Sequence, residues 1–227
     1  MNAATAFGPL RRDSNMSTSI SMARPVVFIV DDDVSVRESL ETLIEEAGWQ
    51  AATFESAEAF LAHTRETVPG CLVLDVGLPD LNGLELQQRL AGTPGLPIIF
   101  VTGRGDIPMT VQAMKAGAVE FLTKPFSTQT LLSAVRGAIE HSRTLIAAEA
   151  DMQVLRDRYQ SLTAREKEVM ALVVSGQLNK QSAFELGLSE ITVKVHRGRM
   201  MRKMEAASLP ALVDMAAQLG LKTPGAR

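Results

Sequence analysis

From residue 25 the chain alternates between two hydrophobic rhythms. Short runs rich in β-branched and apolar residues read as strands: Val26–Asp31, Gln50–Phe54, Cys71–Asp75, Pro97–Thr102 and Glu120–Leu122. The stretches between them, with apolar residues three to four apart, predict helices over Ser35–Ala47, Ala57–His63, Gly83–Leu90 and Pro108–Ala116. A fifth helix, Thr128–His141, follows the last strand. Such alternation implies a parallel sheet with helices on both faces. Val26–Val30 and Ile98–Val101 are almost wholly apolar, as strands covered on both sides should be.

The helical rhythm does not stop at His141. Leu131, Val135, Ile139, Ile146, Met152, Leu155 and Tyr159 keep an approximate three-to-four spacing, and no Gly or Pro falls between Ala138 and Leu162. Residues 144–160 are therefore expected to form a helical linker. Beyond it the pattern is helical only. Thr163 and Glu166 make a capping box before an apolar run that ends near Gly176. Lys180–Leu186, Glu190–Met204 and Leu209–Leu219 supply three more helices. The expected fold is an α/β domain with a five-stranded parallel sheet over residues 24–143, then an all-α four-helix domain over 161–227. Residues 1–23, rich in Ser, Thr, Asn and Ala, are expected to be a disordered tail. Met16 and Met22 closely precede the first strand and are alternative candidate starts.

Composition narrows the class. The 227 residues are 46% apolar and 22% charged, an ordinary globular balance. A single cysteine, Cys71, excludes a disulfide framework and a cysteine-rich zinc site, and fits a reducing cytoplasm. No apolar run approaches the ~18 residues of a membrane span, and the polar start lacks a signal-peptide core. The net charge of −3 hides a split: residues 24–143 carry −7, whereas residues 161–227 carry +4. That asymmetry points to a nucleic-acid or membrane partner for the basic segment.

In an open parallel sheet, ligands bind beyond the carboxyl ends of the strands. Asp31, Asp32 and Asp33 end the first strand, Asp75 the third and Thr102 the fourth, and Lys124 follows the fifth. Clustered carboxylates repel unless a cation sits among them. Mg2+ suits such a site because it takes oxygen ligands and accepts phosphate oxygens. A carboxylate is also a competent phosphoryl acceptor. Asp75 is the best acceptor candidate, since it stands alone on the central strand while the first strand's aspartates can hold the metal.

Val30-Asp31-Asp32-Asp33, Leu74-Asp75-Val76, Leu78-Pro79-Asp80, Val101-Thr102-Gly103 and Lys124-Pro125-Phe126 resemble the motifs of response-regulator receiver domains. The likeness covers residues 25–143 and implies the flavodoxin-like receiver fold. It implies that Asp75 accepts a phosphoryl group from a sensor histidine kinase. Asp31, Asp32, Asp75 and the backbone carbonyl of Gly77 would hold Mg2+, and Thr102 and Lys124 would contact the phosphoryl group. Phe121 matches the family's aromatic switch residue, turning inward as Thr102 moves, and Lys124–Pro125 would be a cis bond. Asp33 receives no direct ligand role. Asp31-x-Asp33-x-Ser35 is also similar to the first motif of haloacid-dehalogenase-type phosphatases. That family needs a further acidic pair after its lysine, and the next acid past Lys124 is Glu140, deep in a helix.

The basic segment has its own pattern. Ala183, Gly187 and Val193 have the spacing of a helix-turn-helix: a small residue at the crossing, a glycine in the turn, and an apolar residue locking the second helix. On that second helix Val193, Met200 and Met204 should face inward. The opposing stripe, Ile191, Lys194, Val195, Gly198, Arg199 and Arg202, is cationic with an apolar centre, suited to a major groove.

Leu162-Thr163-Ala164-Arg165-Glu166, Asn179-Lys180 and Thr192-Val193-Lys194-Val195-His196-Arg197 resemble the LuxR/NarL-type DNA-binding domain. With the receiver, and with Gly103-Arg104-Gly105-Asp106-Ile107-Pro108-Met109, the likeness is to the FixJ group. It implies that Lys194 and Val195 reach bases, while Asn179, Lys180, Thr192 and His196 contact or position phosphates. Gly198 replaces a side chain that some family members project at the bases, so base choice would also rest on Arg199. The implied function is a cytoplasmic two-component response regulator, not a metabolic enzyme, that activates transcription. Its implied partners are a sensor histidine kinase, promoter DNA, RNA polymerase and a second copy of itself. That second copy would meet the face formed by Pro108–Ala116 and Glu120–Leu122. A phosphorylation-dependent adaptor, with the last four helices contacting protein only, is the alternative. His63 and His141 read as surface residues and Cys71 as a small core residue.

Overall fold

The structure is a computed structural model, and it describes residues 24–93, 95–103 and 107–221. The tail over residues 1–23 and Arg104–Asp106 of the FixJ-like loop motif lie outside the described residues. The chain divides into two compact units, residues 1–147 and 148–227.

In the first unit five strands form one parallel sheet: β1 (Val26–Val30), β2 (Gln50–Phe54), β3 (Gly70–Leu74), β4 (Ile98–Thr102) and β5 (Glu120–Thr123). Their order is β2-β1-β3-β4-β5. The helices are α1 (Val34–Glu46), α2 (Ala57–Ala62), α3 (Gly83–Arg89), α4 (Ile107–Lys115) and α5 (Thr128–Gln160). The two-residue period of the strands sorts their side chains into two cores. Phe28, Val30, Leu72, Leu74 and Phe100 pack with Phe60, Leu86 and Ala113 on one face. Val27, Ile29, Cys71, Val73 and Ile99 pack with Leu40, Ile44, Leu131 and Val135 on the other. Cys71 is wholly enclosed there, and burial pushes its thiol up to about 12, so it stays protonated.

Two strands stop one residue before the sequence period places their ends. β1 ends at Val30 and β3 at Leu74, leaving Asp31 and Asp75 just beyond the ladder. The backbone still ties both down: the Asp75 N–H donates to the Val30 carbonyl at 2.9 Å and that of Asp31 to the Phe54 carbonyl at 3.3 Å. Each carboxylate is thus released from the apolar layers while its Cα stays fixed. β4 begins at Ile98, because Pro97 has no N–H to give a ladder. Helix α5 is continuous for 33 residues, and its buried Ser142 accepts from the Gly70 N–H at 3.1 Å and donates to the Gly95 carbonyl.

The second unit adds α6 (Ala164–Val174), α7 (Asn179–Leu186), α8 (Glu190–Met204) and α9 (Leu209–Gln218) to the end of α5. Its core joins Leu155 and Leu162 to Val169, Met170, Val173, Val193, Met200, Met204 and Leu212. Gly187 ends α7 at φ +65°, where a side chain would be strained, and turns the chain into α8. The capping box is present. Thr163 Oγ1 accepts from the Glu166 N–H at 3.2 Å, and the Glu166 carboxylate accepts from the Thr163 N–H at 2.9 Å. That carboxylate is only 3% exposed and also pairs with Lys203 of α8 at 2.6 Å. Burial works to raise its pKa, but the Lys203 and Thr163 hydrogen bonds and the Lys203 charge prevail and hold it below the ordinary Glu value.

A depressed carboxylate pKa stabilises the fold above the unfolded Glu value of about 4.3. That contribution is lost as pH falls through the lower native value. Lys203→Met should therefore destabilise the second unit at pH 7. Charged hydrogen bonds contribute about 1.5–3 kcal/mol; allowing for the partial exposure of Lys203, the expected loss is about 1–2 kcal/mol. Thermal melts of wild type and variant should converge as pH falls below the Glu range.

Candidate functional site

The order β2-β1-β3-β4-β5 reverses direction between β1 and β3, and the crevice outside their carboxyl ends is where such sheets bind ligands. One carboxylate oxygen from each of Asp31, Asp32 and Asp75 lies within 4.8 Å of the others. The three differ in setting. Asp31 is 2% exposed, Asp75 is half-buried and Asp32 is open to solvent. Lys124 reaches in from the end of β5, its Nζ donating to Asp31 Oδ2 at 2.7 Å. Its own N–H is held by the Thr102 carbonyl at 2.8 Å, and its bond to Pro125 is cis. Thr102 is buried at 3% exposure. Phe121 is partly buried, with its ring 5.9 Å from that of Phe100.

Asp75 carries the electrostatic tension of the pocket. Burial raises its pKa above the ordinary value; Lys124 opposes that, Asp31 adds to it, and the backbone N–H groups of Gly77 and Val76 oppose it. Its Oδ1 is enclosed and has no hydrogen-bond partner. A carboxylate oxygen in that position costs free energy unless a cation or donor arrives. The all-oxygen, anionic donor set and the orphaned Oδ1 suit a hard divalent cation such as Mg2+.

The surrounding backbone is built to hold these groups. A Cβ on Gly83 would lie 2.5 Å from the Asp75 carbonyl oxygen, so only glycine lets α3 start against the end of β3. Asp33 lies outside the trio: its Oδ1 accepts from the N–H groups of Ser35 and Val36 and caps α1. Two further residues were not legible as part of the site. Arg37 donates to the carbonyls of Asp31 at 2.7 Å and Asp32 at 2.9 Å, clamping the acidic loop. Asp80 accepts from the N–H groups of Ala57 and Glu58 and fixes the loop after β3 to the start of α2. Arg37 follows Asp31 by six residues and Asp80 belongs to Leu-Pro-Asp, but neither spacing names a backbone acceptor or donor.

In the second unit, burial sorts α8 into two faces. Val193, Met200 and Met204 are fully enclosed. Ile191, 78% exposed, stands outside with Lys194, Val195, Gly198, Arg199 and Arg202. Lys180 is exposed on α7. Thr192 shares a hydroxyl hydrogen bond with Ser189 at 2.8 Å, at the start of α8. Asn179 Oδ1 accepts from Arg197 at 3.1 Å, a brace between the two helices that sequence spacing had not revealed. The Nδ1 of His196 is enclosed without a partner.

Fold and site together define a class: a receiver-type α/β unit followed by a helix-turn-helix unit is the build of a DNA-binding response regulator. Residues 27–136 match the response regulator receiver domain, and residues 160–216 match the bacterial regulatory proteins of the luxR family. Among curated relatives, nodulation protein W of Bradyrhizobium diazoefficiens is 49% identical over 199 residues, covering 87% of this chain and 88% of its own. The transcriptional regulatory protein FixJ of Rhizobium meliloti is 45% identical, with 84% and 94% covered. The response regulator protein TodT of Pseudomonas putida is 44% identical, with 86% of each chain covered. Of solved structures, the response regulator StyR superposes with a TM-score of 0.74 at 48% identity, covering 86% of this chain and all of its own. Full-length FixJ from B. japonicum gives 0.50 at 38% identity, with 87% and 98% covered. The chain belongs to the FixJ-type response regulators of the NarL/LuxR group. It is a transcriptional regulator and not a metabolic enzyme; the receiver implies a sensor-kinase partner and the LuxR-type domain implies DNA binding. No helix among the described residues is long and apolar enough to cross a membrane.

Because burial raises the Asp75 pKa, its ionised form weakens the fold at pH values above that pKa. The penalty vanishes below the unfolded value of about 3.9. Asp75→Asn should therefore raise the melting temperature in metal-free buffer at pH 7. Its advantage over wild type should shrink as the pH is lowered toward 4.

Proposed function

We propose that Asp75 is the phosphoacceptor and that its phosphorylation by a sensor histidine kinase switches the DNA binding of the second unit. The observation that carries this reading is the Asp75 Oδ1, enclosed and unpartnered among three convergent carboxylates. Asp31, Asp32, Asp75 and the carbonyl of Gly77 would hold Mg2+. When bound, the ion supplies the positive charge that lets anionic phosphoryl oxygens approach an anionic carboxylate. The chain's own groups do the rest. The Asp75 carboxylate attacks phosphorus and carries the phosphoryl group as an acyl phosphate, while the phosphohistidine imidazole leaves. Lys124, whose ammonium already lies at this edge, orients a phosphoryl oxygen. Thr102 donates its hydroxyl to another. Phe121, two residues before Thr123 and paired in register with Phe100, follows the movement of Thr102 inward.

The output is read through α8. Lys194, Val195 and Arg199 reach base edges, with Arg202 further along the same stripe. Asn179, Lys180, Thr192 and His196 engage or position backbone phosphates. Exposed Ile107, Val111 and Met114 on α4 support dimerisation through α4 and β5, which would present two DNA-binding units to a pseudo-symmetric promoter site. The regulator acts in the cytoplasm and activates transcription by engaging RNA polymerase.

Two measurements test these assignments. With acetyl phosphate and Mg2+, wild type should be labelled and Asp75→Asn should not; label persisting on Asp31 or Asp33 would overturn the choice of acceptor. Promoter affinity should fall steeply with salt, by roughly 0.9 log units per log unit for each phosphate neutralised. Lys194→Ala should cost about 1–3 kcal/mol and relax base preference. A salt-independent interaction, or a Lys194→Ala protein with unchanged sequence preference, would contradict the DNA contacts.

A further inference from the structure

The opposite edge of the sheet carries a second feature. Before β3 and β4 begin, a cavity of about 330 Å³ opens beside Phe28, Arg65, Thr67, Thr93, Leu96 and Ile146. Its volume is at the lower end of the range for small-molecule sites, roughly 300–1,000 Å³. Arg65 is half-buried, with its guanidinium carbon 5.1 Å above the Phe60 ring. Phe60 is itself locked edge-on against Phe28 and Phe54, at 5.7 and 5.4 Å. Among the described residues no carboxylate pairs with Arg65, although Glu66 borders the same cavity. Burial lowers the arginine's pKa, which is the mark of a charge desolvated without a compensating anion.

Half-buried cations are ordinarily paired, and a guanidinium presents a planar fork matched to a carboxylate. Here the fork stands on a fixed aromatic platform at the wall of a cavity that also offers apolar surface. Thr67 and Thr93, both exposed, also line it. Ile146 brings α5 to the cavity, one turn beyond the buried Ser142 that anchors this helix to Gly70 and Gly95.

We propose that this cavity binds a small organic carboxylate, its anionic group on Arg65 and its ring-sized apolar body against Phe28, Leu96 and Ile146. The occupant would touch α5 at the edge of the sheet opposite Asp75. The site needs neither phosphorylation nor DNA, so its test is independent of the function proposed above.

The test is an amide NMR titration of the unphosphorylated full chain with benzoate, acetate and benzyl alcohol. Benzoate should give saturable shifts centred on Thr67, Thr93 and Ile146. Acetate, lacking the body, and benzyl alcohol, lacking the charge, should each bind about tenfold more weakly or worse. Arg65→Gln should weaken benzoate by a similar factor. Thr93→Trp, which fills the rim and keeps the charge, should do the same without loss of the fold. Absence of benzoate shifts, shifts centred elsewhere, acetate matching benzoate, or unchanged affinity in Arg65→Gln would each overturn the proposal.

Discussion

The first unit is organised around an excess of negative charge at one sheet edge. Asp31, Asp32 and Asp75 converge there, and Lys124 forms an ion pair with Asp31 alone among the three. Such a cluster is costly to assemble, and the rest of the unit pays for it in backbone bonds. The acidic loop is clamped by Arg37, the loop after β3 by Asp80, and Asp75 itself by the Val30 carbonyl. The apolar layers on both faces keep the strand ends from relaxing apart. What remains is a braced site with uncompensated negative charge, which favours a cation among the three carboxylates.

The second unit solves a different problem with the same logic of burial. A helix that presents a cationic face to solvent needs one side held and the other bare. Val193, Met200 and Met204 hold α8 from within, so the cationic side chains opposite need no internal partners. Two cations of this helix are tied into the fold, Arg197 through Asn179 and, more instructively, Lys203. Lys203 points away from the stripe, to the Glu166 carboxylate and the Ser161 carbonyl, and so joins α8 to the start of α6. The net charge of +4 over residues 161–227 therefore overstates what is free to meet DNA, since part of it is spent inside the fold.

Most of the architecture was legible in the sequence because its signals are local. Apolar strands, a capping box at Thr163–Glu166 and a glycine at 187 each act within a few residues. The acidic edge was legible for another reason: strand ends of a parallel sheet meet at one edge whatever their separation in sequence. Arg37, Asp80 and the Asn179–Arg197 brace were not legible. Their partners are backbone groups or residues on another element, and no periodicity encodes which carbonyl a guanidinium will find. The exact ends of β1 and β3 were also missed, because the apolar run stops where the ladder does while the sequence pattern includes the aspartate that follows.

The surroundings of the four aspartates distinguish their chemistry. Asp33 has its Oδ1 committed to two N–H groups at the start of α1. Asp31 has Oδ1 on the Asp33 N–H and Oδ2 on Lys124, so both its oxygens are already engaged. Those bonds lower its electron density and fix its orientation, which suits a ligand more than a nucleophile. Asp32 is exposed, where water competes for its lone pairs. Asp75 alone combines partial burial, an enclosed oxygen without a partner, and neighbours of both charges. A carboxylate that is poorly solvated, with one oxygen still lacking a hydrogen bond, keeps its nucleophilicity. In the proposed role, it would also gain most from a cation and a phosphoryl group supplying the partner that its Oδ1 lacks.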